Sequence, residues 1–418
     1  MTTTSTSSDK ELETAEPDAA DAVVQVPFRK YIEYFLRLGT TGWGGPIAVI
    51  GYMQRDLVDR RRWISKEDFL DGVALGQTLP GPLAAQVAVW VGYLRRGAIG
   101  ALAVAIAFIL PSALMVGAVA VVYAHYQGLW QVTSAFHGIT PVVMAIMGVT
   151  SYRLLFFTNK GRSAWAISAV VFVVTAITQN EPVELVVAAG LLMIFVGARP
   201  ESGWRLRRPA KSALAQLDSP TRLPALAAPV LALGPAATAS KLSSLILFFL
   251  KVGAFTFGFG LASVPVMHAG VVDHYHWLNQ RQFIDAVGVG LVTPGPAIIG
   301  ATFIGYLVAG VPGALVATAA TFAPIYLAIV IPGRWFVRYR DNKQVKAFVK
   351  GATAAAAGAL AGMVVALPTQ FNLHGPKDII GMFVMTGVAV TLLLVFKKRA
   401  PEPLLVLIFG IMGVAGHI

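Results

Sequence analysis

Phe35–Pro82 and Phe249–Pro296 are one passage written twice. Aligned without a gap at a constant offset of 214, sixteen of their 48 positions are identical. The matches include Gly39/Gly253, Gly44/Gly258, Asp59/Asp273, Trp63/Trp277, Phe69/Phe283, Asp71/Asp285 and Gly76/Gly290, and Pro80-Gly81-Pro82 falls on Pro294-Gly295-Pro296. A slip of one residue then aligns Gly92-Tyr93 with Gly305-Tyr306 and Pro111 with Pro324. Unrelated apolar segments share Leu, Val and Ala through composition alone. They do not share Trp, Asp and Pro-Gly-Pro in register, so this chain must build the same unit twice.

The medium in which it builds them follows from composition. The 418 residues are 56% hydrophobic and 13% charged, against about 25% charged in a soluble globular protein. Gly97–Val122, Ser163–Ile177 and Ile379–Phe396 are long apolar windows, of the length that crosses a bilayer core. The alternating ten-residue strands of a membrane barrel are absent. These features predict an all-α polytopic membrane protein. With no cysteine, disulfides and thiolate chemistry are excluded. The net charge of +12 sits in short loops between apolar segments, where the positive-inside rule explains it better than nucleic acid does. The polar start, residues 1–27, lacks an apolar signal region and reads as a disordered tail.

The two copies place their basic loops in opposite phase. Asp59–Trp63 reads DRRRW where Asp273–Trp277 reads DHYHW, and Arg95-Arg96 corresponds to Val308-Ala309. The next loop reverses the bias: Tyr123–Trp130 has no Lys or Arg, while its counterpart, Arg334–Lys350, holds six. Arg153–Arg162 is basic against Pro368–Pro376, and Thr178–Glu184 faces Lys397-Lys398-Arg399. Cytoplasmic loops carry the excess of Lys and Arg, so the halves are expected upside down relative to each other, as inverted-topology repeats. The domains expected are a first transmembrane repeat over 28–198, a basic, proline-containing cytoplasmic linker over 199–241 and a second, inverted repeat over 242–418. Each repeat should have a broken first helix, a re-entrant helical hairpin and about four further spans.

Within that layout the Pro-Gly-Pro motifs have a specific place. Pro-Gly-Pro ends one helix and opens another, yet broken backbone is tolerated at membrane depth only where protein or water satisfies it. Residues 64–94 lie between two basic loops and should enter and leave on one side. Their copy, 278–307, should dip in from the other face. The tips Pro80, Gly81, Pro82 and Pro294, Gly295, Pro296 then approach the midplane. The first-turn amides that follow, those of Leu83, Ala84, Ala297 and Ile298, would present the positive ends of helices to an anion. Gly44, Gly45 and Pro46 break the first apolar helix nearby. Arg37 and Lys251 put one cation at the same place in each copy; a basic residue there either snorkels to the interface or balances a bound dianion.

Gln77, Thr78, Gln86 and Thr293 flank the tips as neutral donors, and each alone fits packing as readily as ligation. Asp71 and Asp285 match across the repeat and suit a helix cap or salt bridge, or else a proton-coupling carboxylate. His274 and His276 form no metal-binding cluster, and no cofactor is expected. No Walker A motif ends in Gly-Lys-Ser/Thr, which points away from ATP. An intramembrane enzyme would need Gly-x-Ser-x-Gly, His-Glu-x-x-His or paired carboxylates at depth, and none occurs.

The passages FLRLGTTGWGGP, DFLDGVALGQTLPGP and RRRW, with their second copies, resemble the chromate ion transporter family. The resemblance covers the chain from about Phe28 onward, apart from the linker. It implies a long, two-domain member in the inner membrane that exports chromate from the cytoplasm, with sulfate as its mimic and sulfate uptake or exchange as the alternative. The expected partners are chromate, sulfate and the lipid bilayer, and a homodimer is compatible with the sequence. The second copy departs from the pattern at Gly258–Ser263, where Gly-Gly-Pro is lost. The absence of native thiols makes the topology directly testable: cysteines introduced at Arg95 and Val308 should be labelled by impermeant reagents from opposite sides of the membrane, and labelling from one side would rule out inverted halves.

Overall fold

A computed structural model describes residues 23–126, 129–159, 161–178, 183–197, 236–256, 260–333, 342–367, 376–395 and 402–415. The expected tail lies outside these residues up to position 22, and the expected linker up to position 235. Among the described residues every regular element is helical. The first half contains α1 (Phe28–Thr41), α2 (Gly45–Met53), α3 (Lys66–Thr78), α4 (Leu83–Tyr126), α5 (Trp130–Thr158), α6 (Arg162–Thr178) and α7 (Val183–Gly197). The second contains α8 (Ala236–Phe255), α9 (Val264–His268), α10 (Gln280–Val292), α11 (Gly300–Gly333), α12 (Lys343–Ala366), α13 (Pro376–Val395) and α14 (Glu402–Ala415). Four helices are long and apolar enough to cross a membrane by length and composition: α4, α5, α12 and the helix that runs from Ala297 through α11. This is a multi-pass α-helical membrane protein.

The repeated sequence folds into repeated local geometry. After α2 the chain loosens into a π-helical turn at Gln54–Arg60, and after α9 into another at Ala269–His274. Each turn is followed by a non-glycine residue in the left-handed region, Arg62 and His276, both at φ +51. The next helix starts on a side-chain cap at equivalent positions: Ser65 accepts from the Asp68 N–H and Asn279 from the Gln282 N–H. Such caps satisfy one of the donors that a helix start leaves free. The helix after each Pro-Gly-Pro then bends back on itself at a left-handed glycine, Gly97 (φ +58) and Gly310 (φ +62). The arm 83–95 thus lies against 98–126, where Gly92 and Gly100 let the backbones touch; Gly305 and Gly313 do the same in the second half.

The halves interlock by exchange. α5 packs against α13 and α14 of the other half, and α12 packs against α6 and α7. Equivalent helices therefore swap equivalent neighbours. α4 and α11 meet each other at the centre, and α1 and α8 pack on α4 and α11 respectively. A Cβ at Gly39 would strike the Phe108 carbonyl oxygen, and one at Gly253 would strike that of Thr321. Without a hydrophobic drive between helices in lipid, close backbone packing of this kind supplies the association energy.

These crossings tolerate no side chain. Gly39→Leu and Gly253→Leu should each destabilise the detergent-solubilised protein by about 1–3 kcal/mol through overpacking, read as a lowered thermal midpoint. Gly51→Leu should leave it unchanged, because nothing lies within 4 Å of a Cβ there.

Candidate functional site

Each hairpin ends on a tip that the opposite half receives. α3 stops at Thr78, and Gly81 at the first tip has φ +138; its counterpart Gly295 has φ +109. Only glycine enters this region without strain. The Gly81 N–H donates to the Thr256 carbonyl at 2.5 Å, where the end of α8 breaks. The Gly295 N–H donates to the Gly42 carbonyl at 3.3 Å, where α1 breaks. Gly42 and Thr256 are equivalent positions in the two copies. The two contacts are one contact, made twice with the halves exchanged.

The breaks are built differently. In the first, Gly44 (φ +103) and Gly45 (φ +76) turn the chain through left-handed backbone, and Pro46 opens α2 with its fixed φ. In the second, Gly260 (φ +88) takes the position of Pro46, and Leu261–Ser263 form a single 3₁₀ turn. A Cβ at Gly260 would lie 3.8 Å from Pro82, so the second break flanks the first tip. Gly258 itself lies outside the described residues.

Helix starts follow both tips, as the prolines require. Leu83 and Ala84 open α4, and Ala297 and Ile298 open a short 3₁₀ turn leading into α11. Among the described residues no backbone carbonyl accepts from their amides, as the first turn of any helix leaves them. Pro82, Pro294 and Pro296 are buried, and Pro80 is half-buried.

The flanking polar residues divide by role. Gln86 is fully buried and clasps the first tip, its Nε2 donating to the Pro80 carbonyl at 2.8 Å and the Leu79 carbonyl at 3.2 Å. Thr78 and Thr293 spend their hydroxyl protons on the carbonyls of Ala74 and Val289, each at 2.7 Å. Gln77 is exposed. Arg37 and Lys251 are exposed on α1 and α8, one turn before the breaks. Asp71 is half-buried on α3, whereas Asp285 on α10 is buried and accepts from Tyr123 Oη at 2.8 Å.

Ser112, on α4, joins the second tip to the fold and was not anticipated from sequence. Its hydroxyl reaches the Pro294 carbonyl at 2.6 Å and the Gly39 carbonyl at 3.3 Å. Its counterpart beside the first tip is apolar, with Ile325 Cγ1 3.3 Å from where a Cβ on Gly81 would stand. The signal available was a lone hydroxyl next to the repeated Pro111, in an otherwise apolar run. The two tips thus share a backbone scheme but differ in side chains.

The chromate transporter family profile matches residues 29–194 and 243–414. The chromate transport protein of Cupriavidus metallidurans is 43% identical over 408 residues, spanning 96% of this chain and 96% of that protein. The probable chromate transport protein of Synechococcus elongatus is 42% identical over 393 residues, spanning 92% of this chain and 95% of the relative. An uncharacterised transporter of Methanocaldococcus jannaschii is 29% identical over 379 residues, spanning 87% and 88%. No solved structure matches the chain.

The tips can be tested at their glycines. Alanine at 81 would set a Cβ 2.8 Å from Gln86 Nε2, and alanine at 295 would strike the Ser112 hydroxyl. With the added cost of a left-handed φ, about 1–3 kcal/mol, Gly81→Ala and Gly295→Ala should each cut transport roughly tenfold or more. Protein should remain in the membrane at matched levels. Wild-type flux by both variants would move the functional centre away from the tips.

Proposed function

This chain belongs to the chromate transporter family, and from that premise we propose that it is a secondary transporter in the inner membrane that exports chromate from the cytoplasm. The driving force is the membrane potential or a coupled proton. The halves are inverted-topology repeats, with the hairpins 64–94 and 278–307 re-entering from opposite faces. The anion is held where the Pro80-Gly81-Pro82 and Pro294-Gly295-Pro296 tips meet the breaks at Gly44-Gly45-Pro46 and Gly260, near the midplane.

The observation that carries this reading is the exchanged pair of tip contacts, Gly81 N–H to Thr256 and Gly295 N–H to Gly42. An exchange of equivalent contacts is the mark of two-fold symmetry. Together with the opposite loop charges, it supports an axis in the membrane plane. It also sets the two helix starts close to the opposite half, and their first-turn amides at Leu83, Ala84, Ala297 and Ile298 are backbone donors suited to an oxyanion. Gln86 shapes the first tip, Thr78, Thr293 and Gln77 border the site, and Arg37 and Lys251 supply positive charge for the dianion from the exposed ends of α1 and α8. The energetics favour export: with the interior negative, expelling a dianion releases about 2.3 kcal/mol per charge per 100 mV.

Backbone amides recognise charge and oxygen geometry and do not tell chromium from sulfur. In proteoliposomes under an imposed potential, labelled chromate should be transported, sulfate should compete and planar, singly charged nitrate should compete weakly. Arg37→Lys should lower transport less than Arg37→Ala, since charge survives while the planar fork is lost. Absence of potential-dependent chromate flux, or inhibition by nitrate as strong as by sulfate, would overturn this assignment.

A further inference from the structure

Asp285 is the only buried carboxylate among the described residues, with 2% of its surface exposed. It stands on α10, the first leg of the second hairpin. Tyr123, at the far end of α4, donates to its Oδ2 at 2.8 Å. The Tyr123 ring is held edge-on between Phe136 (5.0 Å) and Phe303 (5.1 Å). Among the described residues the carboxylate has no ion-pair partner. Arg281, one turn earlier on α10, gives its Nη2 proton to the Thr133 carbonyl at 2.8 Å.

The pair is not sealed in. A cavity of about 160 Å³ lies between α4, α5 and α10, and Tyr123, Thr133, Asn279, Arg281, Gln282 and Asp285 line it. A polar space of that size holds more than one water. Arg281 and Tyr123 are the only other titratable groups lining it; α5 contributes Thr133 with the apolar Val132 and Phe136. His125 on α4 and His137 on α5 are exposed and outside the lining. Ionisable groups inside membrane proteins face a cavity or a partner and mark ion or proton pathways.

The first half carries different side chains at the equivalent positions. Asp71 is half-buried, Glu67 replaces Arg281, and the sequence puts Phe336, which has no hydroxyl, at the position of Tyr123.

We propose that Asp285, with Tyr123 as its hydrogen-bond donor and the α4–α5–α10 cavity as its aqueous access, is a proton-binding site that couples proton movement to transport. The ligand is a proton rather than a metal ion or an anion. Arg281 in the same lining opposes a second cation, and the carboxylate opposes an anion. The proton adds to the oxygen that Tyr123 does not occupy, and only that O–H bond forms and breaks. Neutralising the carboxylate removes the buried negative charge that ties α10 to α4 through Tyr123, so occupancy can bias how the second hairpin sits. This rests on the reading of the protein as a chromate transporter.

The test uses the full chain in proteoliposomes, with labelled chromate exchange measured beside proton movement reported by an internal pH-sensitive dye. Wild type should move protons when a chromate gradient is applied. Asp285→Asn should reduce that proton signal to background while labelled chromate exchange persists within about threefold, and Asp285→Glu, which keeps an ionisable group, should restore proton movement. Loss of both activities in a folded Asp285→Asn protein would make the pair a structural tie and overturn the proposal, and retention of both would place the proton elsewhere. Chromate exchange by wild type without proton movement would overturn the coupling site and leave chromate transport standing. A wild-type protein that exchanges no chromate would overturn both.

Discussion

Two backbone hydrogen bonds, from Gly81 to Thr256 and from Gly295 to Gly42, resolve the central problem of this chain. A helix broken inside an apolar layer leaves amides and carbonyls without partners, and each such group costs several kcal/mol in hydrocarbon. The protein breaks helices at two hairpin tips and again at the ends of α1 and α8. It answers each tip's surplus donor with the other half's surplus carbonyl. Neither half can do this alone, because the complementary group belongs to its copy. Interdependence of the halves is thus a hydrogen-bonding requirement before it is a packing preference.

The rest of the architecture keeps those four breaks in reach of one another. Gly39 and Gly253 let α1 and α8 lie directly on α4 and α11, and the folds at Gly97 and Gly310 return each long helix across its own hairpin arm. The exchanged packing of α5 with α13 and α14, and of α12 with α6 and α7, closes the two halves around the centre. Against this symmetric frame, the unmatched side chains stand out. Ser112 anchors the second tip where Ile325 flanks the first, and Asp285 is buried where Asp71 is half-buried. The repeated backbone contacts supply the scaffold, and the unmatched side chains distinguish one tip and one carboxylate from the other.

Much of this was legible in the sequence, for physical reasons that can be named. Apolar segments long enough to span declare themselves through composition, and the duplicated Pro-Gly-Pro is a local backbone instruction that needs no tertiary context. The apolar windows Gly97–Val122 and Ser163–Ile177 fall within α4 and α6, and the break at Gly44-Gly45-Pro46 is where α1 gives way to α2. Arg37, Lys251 and the hairpin glycines were identified as positions, because equivalence across a repeat is a property of sequence.

Partners were another matter. Ser112 and Pro294 are 182 residues apart, and Tyr123 and Asp285 are 162 apart; nothing in the local pattern of either member names the other. Gln86 read as a neutral donor beside a tip, and only the folded chain shows its amide committed to the Pro80 and Leu79 carbonyls. The exposure of Arg37 and Lys251, against the burial of Asp285, likewise depends on which helix faces are covered. By itself the sequence determined that the chain is helical, membrane-embedded, duplicated and broken at fixed places, because hydropathy, proline and glycine act through their immediate neighbours. Tertiary structure alone decided which break satisfies which tip and which of two matching carboxylates is buried, because hydrogen bonds and burial are set by groups that meet only once the two halves have closed on each other.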